Sequence, residues 1–244
     1  MRMSTNEPFR RLELLLGEEA VKSIAKTRVI VFGVGGVGGW CAEALVRSGV
    51  GNITIVDDDV VAPSNINRQL PATMRTIGRK KVEVLGERFQ EINPDLHIEA
   101  KCMRYTPETA AGFNLSGFDF VIDAIDSTQC KAHLIVAATS ISSATLFSSM
   151  GAAGRIDVSR IKATPFAKVQ GDGLARALRQ KFKREGIYPA KNFTCVWSDE
   201  PAVNRGERIA EDGNSNGSFM PVTAAFGLRL ASLVLSSAYG KSII

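Results

Sequence analysis

The stretch that decides the fold is Arg28–Asp59, RVIVFGVGGVGGWCAEALVRSGVGNITIVDDD. It starts and ends with an apolar, β-branched run, and a segment with helical spacing lies between the two runs. The pattern G-x-G-x-x-G separates the first run from the helix; its glycines are Gly33, Gly35 and Gly38, with a further one at Gly36. This arrangement predicts a strand–turn–helix–strand unit whose turn brings backbone N–H groups close to a phosphate.

The second strand of this unit ends in three consecutive aspartates, of which Asp57 is the first. An acid about 20 residues after the glycines can accept hydrogen bonds from ribose hydroxyls, and Asp57 is predicted for that role. The strand, the helix and the terminal acid together favour nucleotide binding over a unit whose glycines serve only close packing. The fingerprint alone leaves the nucleotide open, with NAD as its usual ligand.

The segment that follows, residues 60–81, is rich in amide and cationic side chains. Its polar members are Asn65, Asn67, Arg68, Gln69, Arg75, Arg79, Lys80 and Lys81. In an open α/β sheet, such a segment lies over the carboxyl ends of the strands, where ligands bind. A triphosphate needs a cationic wall of this kind, whereas the alternative interpretation is an ordinary solvated loop.

Strand and helix patterns alternate through the rest of the first part of the chain. Helices are predicted at 9–25, 80–92, from 106 and at 131–141, and strands at 96–102, 118–122 and 144–149. Beyond Gly151 we expect a strand pair at 156–166, a basic helix at 174–185, a strand at 194–197, a polar loop at 200–218 and a final helix at 219–239. The alternation predicts an α/β, Rossmann-like, doubly wound and mostly parallel sheet. We expect one domain over 1–244, with a nucleotide-binding core at about 26–150 and a small C-terminal extension at about 151–244.

Composition indicates an ordinary globular protein of 244 residues, 45% hydrophobic, with a formal net charge of +5. This charge permits an RNA partner, and stable DNA binding is not expected. The first residues lack the apolar core of a signal peptide, and the four cysteines form no C-x-x-C pair, so the cytoplasm is the expected location. The apolar run 219–239 is interrupted by Arg229 and is interpreted as a buried or dimer-facing helix; peripheral membrane association through it is the alternative.

Four motifs in a fixed order resemble the ubiquitin-activating-enzyme-like adenylyltransferases. They are the glycine loop, the strand-ending aspartate, an N-x-x-R-Q loop followed a dozen residues later by a lysine, and a D-x-x-D after a later strand. In this chain they are GVGGVG, Asp57, the run NINRQ at 65–69 with Lys81, and DAID at 123–126. The stretches ELLLGEEAV, SNINRQL, INPDL, FVIDAIDS, SSMGAAG and FGLRLAS narrow the resemblance to the branch that dehydrates threonylcarbamoyladenosine in tRNA.

The resemblance implies ATP and Mg²⁺ as cofactors and an ATP-dependent activation of a carboxylate by adenylation. Gly33, Gly35, Gly36 and Gly38 would cradle the phosphates and Asp57 would hold the ribose. The phosphate contacts implied are Asn65, Arg68 and Lys81, and Gln69 is a further implied cofactor-binding residue. Asp126 would bind Mg²⁺, and Arg11, with Arg10 as the alternative, would reach the nucleotide of the partner subunit in a homodimer. Arg68, Lys81, Asp126 and Arg11 are therefore the implied catalytic residues.

In this branch the substrate would be tRNA, and the reaction a cyclising dehydration of its threonylcarbamoyladenosine beside the anticodon. A sulfur-transfer protein is a further partner that the resemblance allows. Adenylation of a ubiquitin-like sulfur-carrier protein is the main alternative, although the zinc-binding cysteine pair common in those enzymes is absent. An NAD-dependent oxidoreductase and a nucleotide-binding module without chemistry are the remaining alternatives.

Overall fold

The structure is a computed structural model that describes residues 7–207 and 216–240. Its seven strands are β1 (Arg28–Phe32), β2 (Asn52–Val56), β3 (His97–Lys101), β4 (Phe120–Asp123), β5 (Thr145–Ser149), β6 (Ile161–Pro165) and β7 (Thr194–Ser198). Its helices are α1 (Arg10–Leu16), α2 (Glu18–Lys26), α3 (Gly38–Arg47), α4 (Lys81–Ile92), α5 (Thr128–Ser140), α6 (Gly173–Glu185) and α7 (Met220–Ala238).

All seven strands belong to one sheet, in the order β3-β2-β1-β4-β5-β7-β6. Every neighbouring pair is parallel except β6 and β7, which are antiparallel. The chain proceeds from β1 towards β3 on one side and from β4 onwards on the other. The direction of the strand order therefore changes between β1 and β4, and ligands of such sheets bind at the carboxyl ends beside this switch point.

Helices cover both faces of the sheet, as a doubly wound fold requires. One core cluster joins the sheet to α3, α4 and α7, and the other joins it to α5 and α6. The apolar β-strands are buried on both faces because crossover helices occupy both sides. The predicted α/β, Rossmann-like, mostly parallel fold is confirmed.

Helix α7 is long and apolar enough to cross a membrane by length and composition, yet just over half of its most apolar window is buried within the protein. It crosses α3 very closely at Gly227, where an added Cβ would lie 2.4 Å from the carbonyl oxygen of Val37 and 2.8 Å from the Cys41 nitrogen. This crossing holds the beginning of α3 in place. The run 219–239 is accordingly a core helix, as predicted.

Three sequence-based assignments differ from the structure. The helix predicted at 9–25 is two helices, separated at Gly17, whose φ of +88° interrupts helical geometry. The prediction of a helix from residue 106 was wrong. Only a turn and a 3-10 segment, Ala110–Gly112, follow residue 106. There the Thr109 hydroxyl accepts the Thr106 N–H and donates to the Arg104 carbonyl, and it thereby competes with helical hydrogen bonding.

The strand pair predicted at 156–166 is a single strand, β6. The backbone N–H groups of Ile156 and Asp157 donate to the carboxylate of Glu200, at 2.9 to 3.2 Å, where a neighbouring strand would otherwise accept. The Glu200 carboxylate thus accepts the hydrogen bonds that a neighbouring strand would otherwise accept. Residues 156 and 157 therefore do not pair as a strand before β6. Of the predicted polar loop 200–218, residues 208–215 lie outside the described residues.

Candidate active site

A cleft of about 780 Å³ opens at the carboxyl ends of β1, β2 and β4, beside the switch point of the sheet. Eight of the residues predicted for the site line it: Gly33, Gly35, Gly36, Asp57, Arg68, Gln69, Lys81 and Asp126. These residues come from five separate segments of the chain. The fold therefore brings most of the predicted site residues together in one place.

The glycines of the loop divide into two kinds. Gly33 has φ +82°, and a Cβ there would lie 2.7 Å from the Ala124 carbonyl oxygen. A Cβ at Gly38 would lie 1.8 Å from the Gly33 carbonyl oxygen, and Gly38 does not line the cleft. These two glycines fold the turn, whereas at Gly35 and Gly36, which also line the cleft, a Cβ would meet only the side chains of Arg68, Gln69 and Thr223, at 3.3 Å or more.

Asp57 joins the end of β2 to the glycine loop. Its carboxylate accepts the Val34 N–H at 2.8 Å and the Asp59 N–H at 2.9 Å. Burial raises the pKa of Asp57 above its usual value, and the positive charge of Lys81 opposes this effect. Because both bonds come from backbone groups, the carboxylate is held in a fixed orientation at the edge of the cleft.

Lys81 is the first residue of α4, and its side chain is buried. Its Nζ lies 2.6 Å from the Asp59 carboxylate and 4.0 Å from that of Asp57. The lysine predicted for phosphate binding is thus inside the cleft, and in this structure it pairs with the acids that end β2. Incoming phosphate would compete with these carboxylates for the ammonium.

The N-x-x-R-Q loop is organised by Asn65, which does not itself line the cleft. The Asn65 side-chain oxygen accepts the Ala62 N–H, and its carbonyl accepts the N–H groups of Arg68 and Gln69. Asn65, predicted to contact phosphate, therefore has a structural role in this conformation. The Arg68 guanidinium donates to the Ser64 carbonyl at 2.8 Å and retains further N–H groups for a ligand.

The side-chain oxygen of Gln69 is buried, lines the cleft and has no hydrogen-bond partner among the described residues. An unpaired buried polar atom costs about 1–3 kcal/mol. A ligand group placed in the cleft would satisfy it. This orphaned atom is an observation, independent of any motif, that fits an occupied nucleotide site.

Asp126 lines the cleft and follows β4, which lies on the other side of β1 from β2, and its side chain is exposed. Mg²⁺ is usually held by one or two carboxylates together with substrate phosphates. A single accessible carboxylate facing a phosphate-binding loop matches that donor set. The residues present therefore fit a magnesium ion that is bound together with a nucleotide.

Sequence reasoning did not find the polar network beneath this part of the cleft. Lys131 and Asp123 are both fully buried, with Nζ 2.9 Å from the carboxylate, and Lys131 also donates to the Ile125 carbonyl at 3.0 Å. The Ser148 hydroxyl donates to the same carboxylate at 2.7 Å. These bonds hold the turn that carries Asp126. The signal in the sequence was a lysine within an otherwise apolar helix pattern.

Two aromatic residues at the cleft, Phe32 and Tyr105, are almost fully buried, at 0% and 3% exposed. Phe32 and Tyr105 pack edge to face with ring centroids 4.9 Å apart, and both line the cleft. The Tyr105 hydroxyl and His133 Nδ1 are 3.0 Å apart, and burial raises the pKa of Tyr105. The tyrosine hydroxyl is therefore neutral at physiological pH and anchors the aromatic wall.

Arg11 does not line the cleft of its own chain. It lies on α1 and is exposed, and its neighbour Arg10 forms an ion pair with Glu13 at 3.8 Å. Leu14 and Leu15 of the same helix are 74% and 78% exposed. Neither Arg10 nor Arg11 is therefore among the described residues that line the cleft.

The fold and the cleft define a Rossmann-like nucleotide-binding protein with a cationic phosphate wall. The chain belongs to the ThiF family, whose model matches residues 9–243. The tRNA threonylcarbamoyladenosine dehydratase of Bacillus subtilis (strain 168) is 39% identical over 233 residues, which cover 93% of this chain and 91% of the relative.

Solved structures agree with this similarity. The chain matches the crystal structure of E. coli tRNA N6-threonylcarbamoyladenosine dehydratase in complex with ATP, with a TM-score of 0.86 and 35% identity, over 96% of this chain and 94% of that one. It matches the complex of the same enzyme with AMP with a TM-score of 0.87 and 34% identity, over the same shares of the two chains.

Proposed function

We propose that this chain is an ATP-dependent tRNA threonylcarbamoyladenosine dehydratase. The observation that carries the proposal is that one cleft joins the open glycines, Asp57, Arg68, Lys81 and Asp126. A hydride-transferring enzyme has no use for the last three of these groups, whereas a triphosphate uses all of them. Similarity to dehydratases along nearly the whole chain supports the substrate class.

ATP binding follows from the geometry of the cleft. The ribose hydroxyls would donate to Asp57, and the phosphates would face Gly35 and Gly36. Arg68 and Lys81 supply positive charge beside the phosphates. The beginning of α3 adds backbone N–H groups and the positive end of its dipole.

The reaction requires a better leaving group on the threonyl carboxylate. A carboxylate oxygen attacks the α-phosphorus of ATP, the bond to the bridging oxygen breaks, and pyrophosphate leaves. A nucleophilic nitrogen or oxygen within the same side group then attacks the acyl carbon, closes a ring and expels AMP; the proton lost from that nucleophile completes the net removal of water. No protein nucleophile is needed, so the protein acts by positioning and charge neutralisation.

Bound Mg²⁺ would neutralise charge that develops on the phosphates, and Asp126 would hold it. The turn 124–126 is fixed from below by Lys131, so Asp126 is presented to the cleft at a defined place. Replacing Asp126 with alanine tests this role, because an exposed side chain can be removed without loss of the fold. We expect AMP release with modified tRNA to fall by at least about 100-fold, in line with the loss of one preorganised charge contact, while Tm stays unchanged.

Experiments on the wild-type protein test the assignment itself. Wild-type protein that forms no AMP from ATP and modified tRNA would reject the dehydratase assignment. AMP formation with a carrier protein that ends in Gly-Gly would favour the sulfur-carrier alternative. A thermal shift with NAD and none with ATP would reject adenylation altogether.

We propose further that the enzyme is a homodimer in which Arg11 completes the nucleotide site of the partner subunit. The exposed Leu14 and Leu15 beside it offer apolar surface for such a contact. In this arrangement each site takes Asp126 from one chain and Arg11 from the other.

Mixing two inactive variants tests the dimer directly. In a mixed dimer of Arg11→Ala and Asp126→Ala chains, one of the two sites contains both native residues. Equal, freely exchanging chains give half mixed dimers, so about one quarter of the wild-type activity should return. Two variants that stay inactive after exchange would place Arg11 in its own site, and an Arg11→Ala protein that is active by itself would place Arg11 outside the reaction.

The tRNA would contact the basic helix α6. Its exposed cations Arg176 and Lys183 make no ion pair with any described residue, so both are free to meet phosphate. Arg179, in contrast, donates to the carbonyls of Phe166 and Val169 and stacks on the Phe166 ring. Arg179 is therefore a structural residue, and Lys183 is the better probe of RNA binding.

A further inference from the structure

A second cavity, of about 360 Å³, adjoins the nucleotide cleft. Ser218 lines both, and the chain passes from Ala153, on the cleft wall, to Gly154 and Arg155, on the wall of the second cavity. Asn67, in the loop beside the cleft, donates to the Ser218 carbonyl at 2.9 Å. The two cavities therefore share a wall that is tied to the phosphate-binding loop.

Arg155 lines this cavity and has one hydrogen-bond donor that the fold leaves without a described partner. It is 3% exposed; its Nε donates to the Glu200 carbonyl at 3.0 Å and its Nη2 to Asp172 at 2.8 Å. Its Nη1 is buried and has no partner within the described ranges 7–207 and 216–240. A buried charged group with a spare donor is costly to keep, and an acceptor oxygen of a ligand would satisfy it.

The remaining described walls combine polar side chains, Asn204, Arg205, Glu207 and Ser218, with three large apolar side chains that are exposed. Ile156, Val203 and Phe219 are 53%, 48% and 46% exposed, although each is a large hydrophobic side chain. All three line the cavity together with Arg155. Apolar side chains combined with placed polar groups are typical of pockets for small organic groups, and such pockets begin at about 300 Å³.

The frame around the cavity is fixed before any ligand enters. Gly154 donates to the Gly217 carbonyl at 2.7 Å and accepts from the Val203 N–H at 2.9 Å. Gly154 has φ +74°, and a Cβ there would lie 3.1 Å from Ala202 and Val203, so a glycine is required. The segments 154–156, 203 and 217–219 are thus held together by backbone bonds.

We infer that this cavity binds the threonylcarbamoyl-modified adenosine of the tRNA, with Arg155 Nη1 donating to an oxygen of its side group. The inference rests on the proposed function and adds to it the place of the second substrate. The modified nucleoside combines a purine ring and an aliphatic group, which suit the apolar side chains, with urea and carboxylate oxygens, which suit the arginine. Because Ser218 lines both cavities, the carboxylate of a nucleoside bound here would be able to reach towards the nucleotide cleft.

The test compares the binding of one tRNA with and without the modification, in the absence of ATP, by fluorescence anisotropy. Wild-type protein should prefer the modified tRNA at least tenfold. Val203→Trp fills the cavity from an exposed position and should bring this ratio close to one, with ATP affinity and Tm unchanged. Val158→Trp, at a similarly exposed valine outside the cavity, is the matched control and should keep the preference.

Arg155→Lys keeps a positive charge opposite Asp172 and removes the spare donor. It should also lose the preference, whereas a merely structural effect would weaken both tRNAs equally. A Val203→Trp protein that keeps the wild-type ratio would overturn the inference, as would a wild-type protein without any preference. The proposed function is tested separately, by AMP formation in the wild-type protein with ATP and modified tRNA.

Discussion

The Lys131 ammonium lies 2.9 Å from the Asp123 carboxylate beneath the nucleotide cleft, and neither side chain is exposed to solvent. The same ammonium donates to the Ile125 carbonyl, so one buried cation supports the turn that carries Asp126. A buried pair of this kind is costly to break from one side, because the remaining charge stays buried without its partner.

Replacing Lys131 with methionine should therefore destabilise the protein by about 3–5 kcal/mol and lower Mg²⁺-dependent activity. Denaturant unfolding measures the first effect and AMP release the second. Lys181→Met is the matched control, since Lys181 pairs with Glu185 near the surface, and it should change both quantities little. An equal loss of stability in the two variants would contradict the role given to the buried pair.

Alanine substitutions at two glycines of the loop should have different effects, one on the stability of the protein and the other on ATP binding. Gly33→Ala forces a Cβ into a positive-φ position 2.7 Å from the Ala124 carbonyl oxygen, and it should cost about 1–3 kcal/mol of stability. Gly35→Ala meets only the Gln69 side chain, at 3.6 Å, so its stability should remain near that of the wild type.

Because Gly35 faces the cleft, its alanine variant should still bind ATP more weakly. Thermal unfolding with and without ATP distinguishes the two effects, since a bound ligand raises the apparent stability. If Gly35→Ala kept the full ATP-induced shift, the phosphates would not approach the backbone at this glycine.

Asp57 should make ATP binding sensitive to pH. Burial raises its pKa, so the carboxyl takes up a proton at a higher pH than an ordinary aspartate with a pKa of about 3.9. ATP affinity should fall as the pH falls through this raised pKa, because a protonated carboxyl is a weaker acceptor for ribose hydroxyls.

The titration of Asp57 should affect the stability of the ligand-free protein and the affinity for ATP in opposite directions as the pH changes. An acid whose folded pKa is raised contributes stability at low pH that is lost as the pH rises through that pKa. Asp57→Asn should remove both dependences, and calorimetric titration over a pH series measures the affinity. An affinity profile that is unchanged in Asp57→Asn would assign the pH dependence to another group.

Charge reversal on α6 should weaken tRNA binding. Lys183→Glu is expected to lower the affinity for tRNA several-fold and to reduce the slope of log K against log salt by about one, the value for one lost phosphate contact. Lys26→Glu makes the same change of charge on α2 and serves as the control. Equal effects of the two reversals would indicate a general charge effect in place of a contact at α6.

The sequence-based predictions were most accurate where the structure depends on residues that are close together along the chain. The order of strand, turn, helix and strand in the unit 28–59 was predicted correctly because these elements are set by neighbours along the chain. The lining of the cleft by Arg68, Lys81 and Asp126 also followed from their place after parallel strands. Gly38 and Asn65 share the same motifs but face inward, and the motifs alone do not show this.

The sequence by itself determined the fold class, the glycine turn and the family of the protein, because hydrophobic period, backbone freedom at glycine and motif order are local properties. Only the tertiary structure decided which groups lie buried together, such as Lys131 with Asp123 and Arg155 with Asp172. Each of these pairs joins positions that the chain separates and that packing brings within hydrogen-bonding distance. Desolvation makes such contacts energetically decisive, and desolvation is a property of the folded interior that no short stretch of sequence contains.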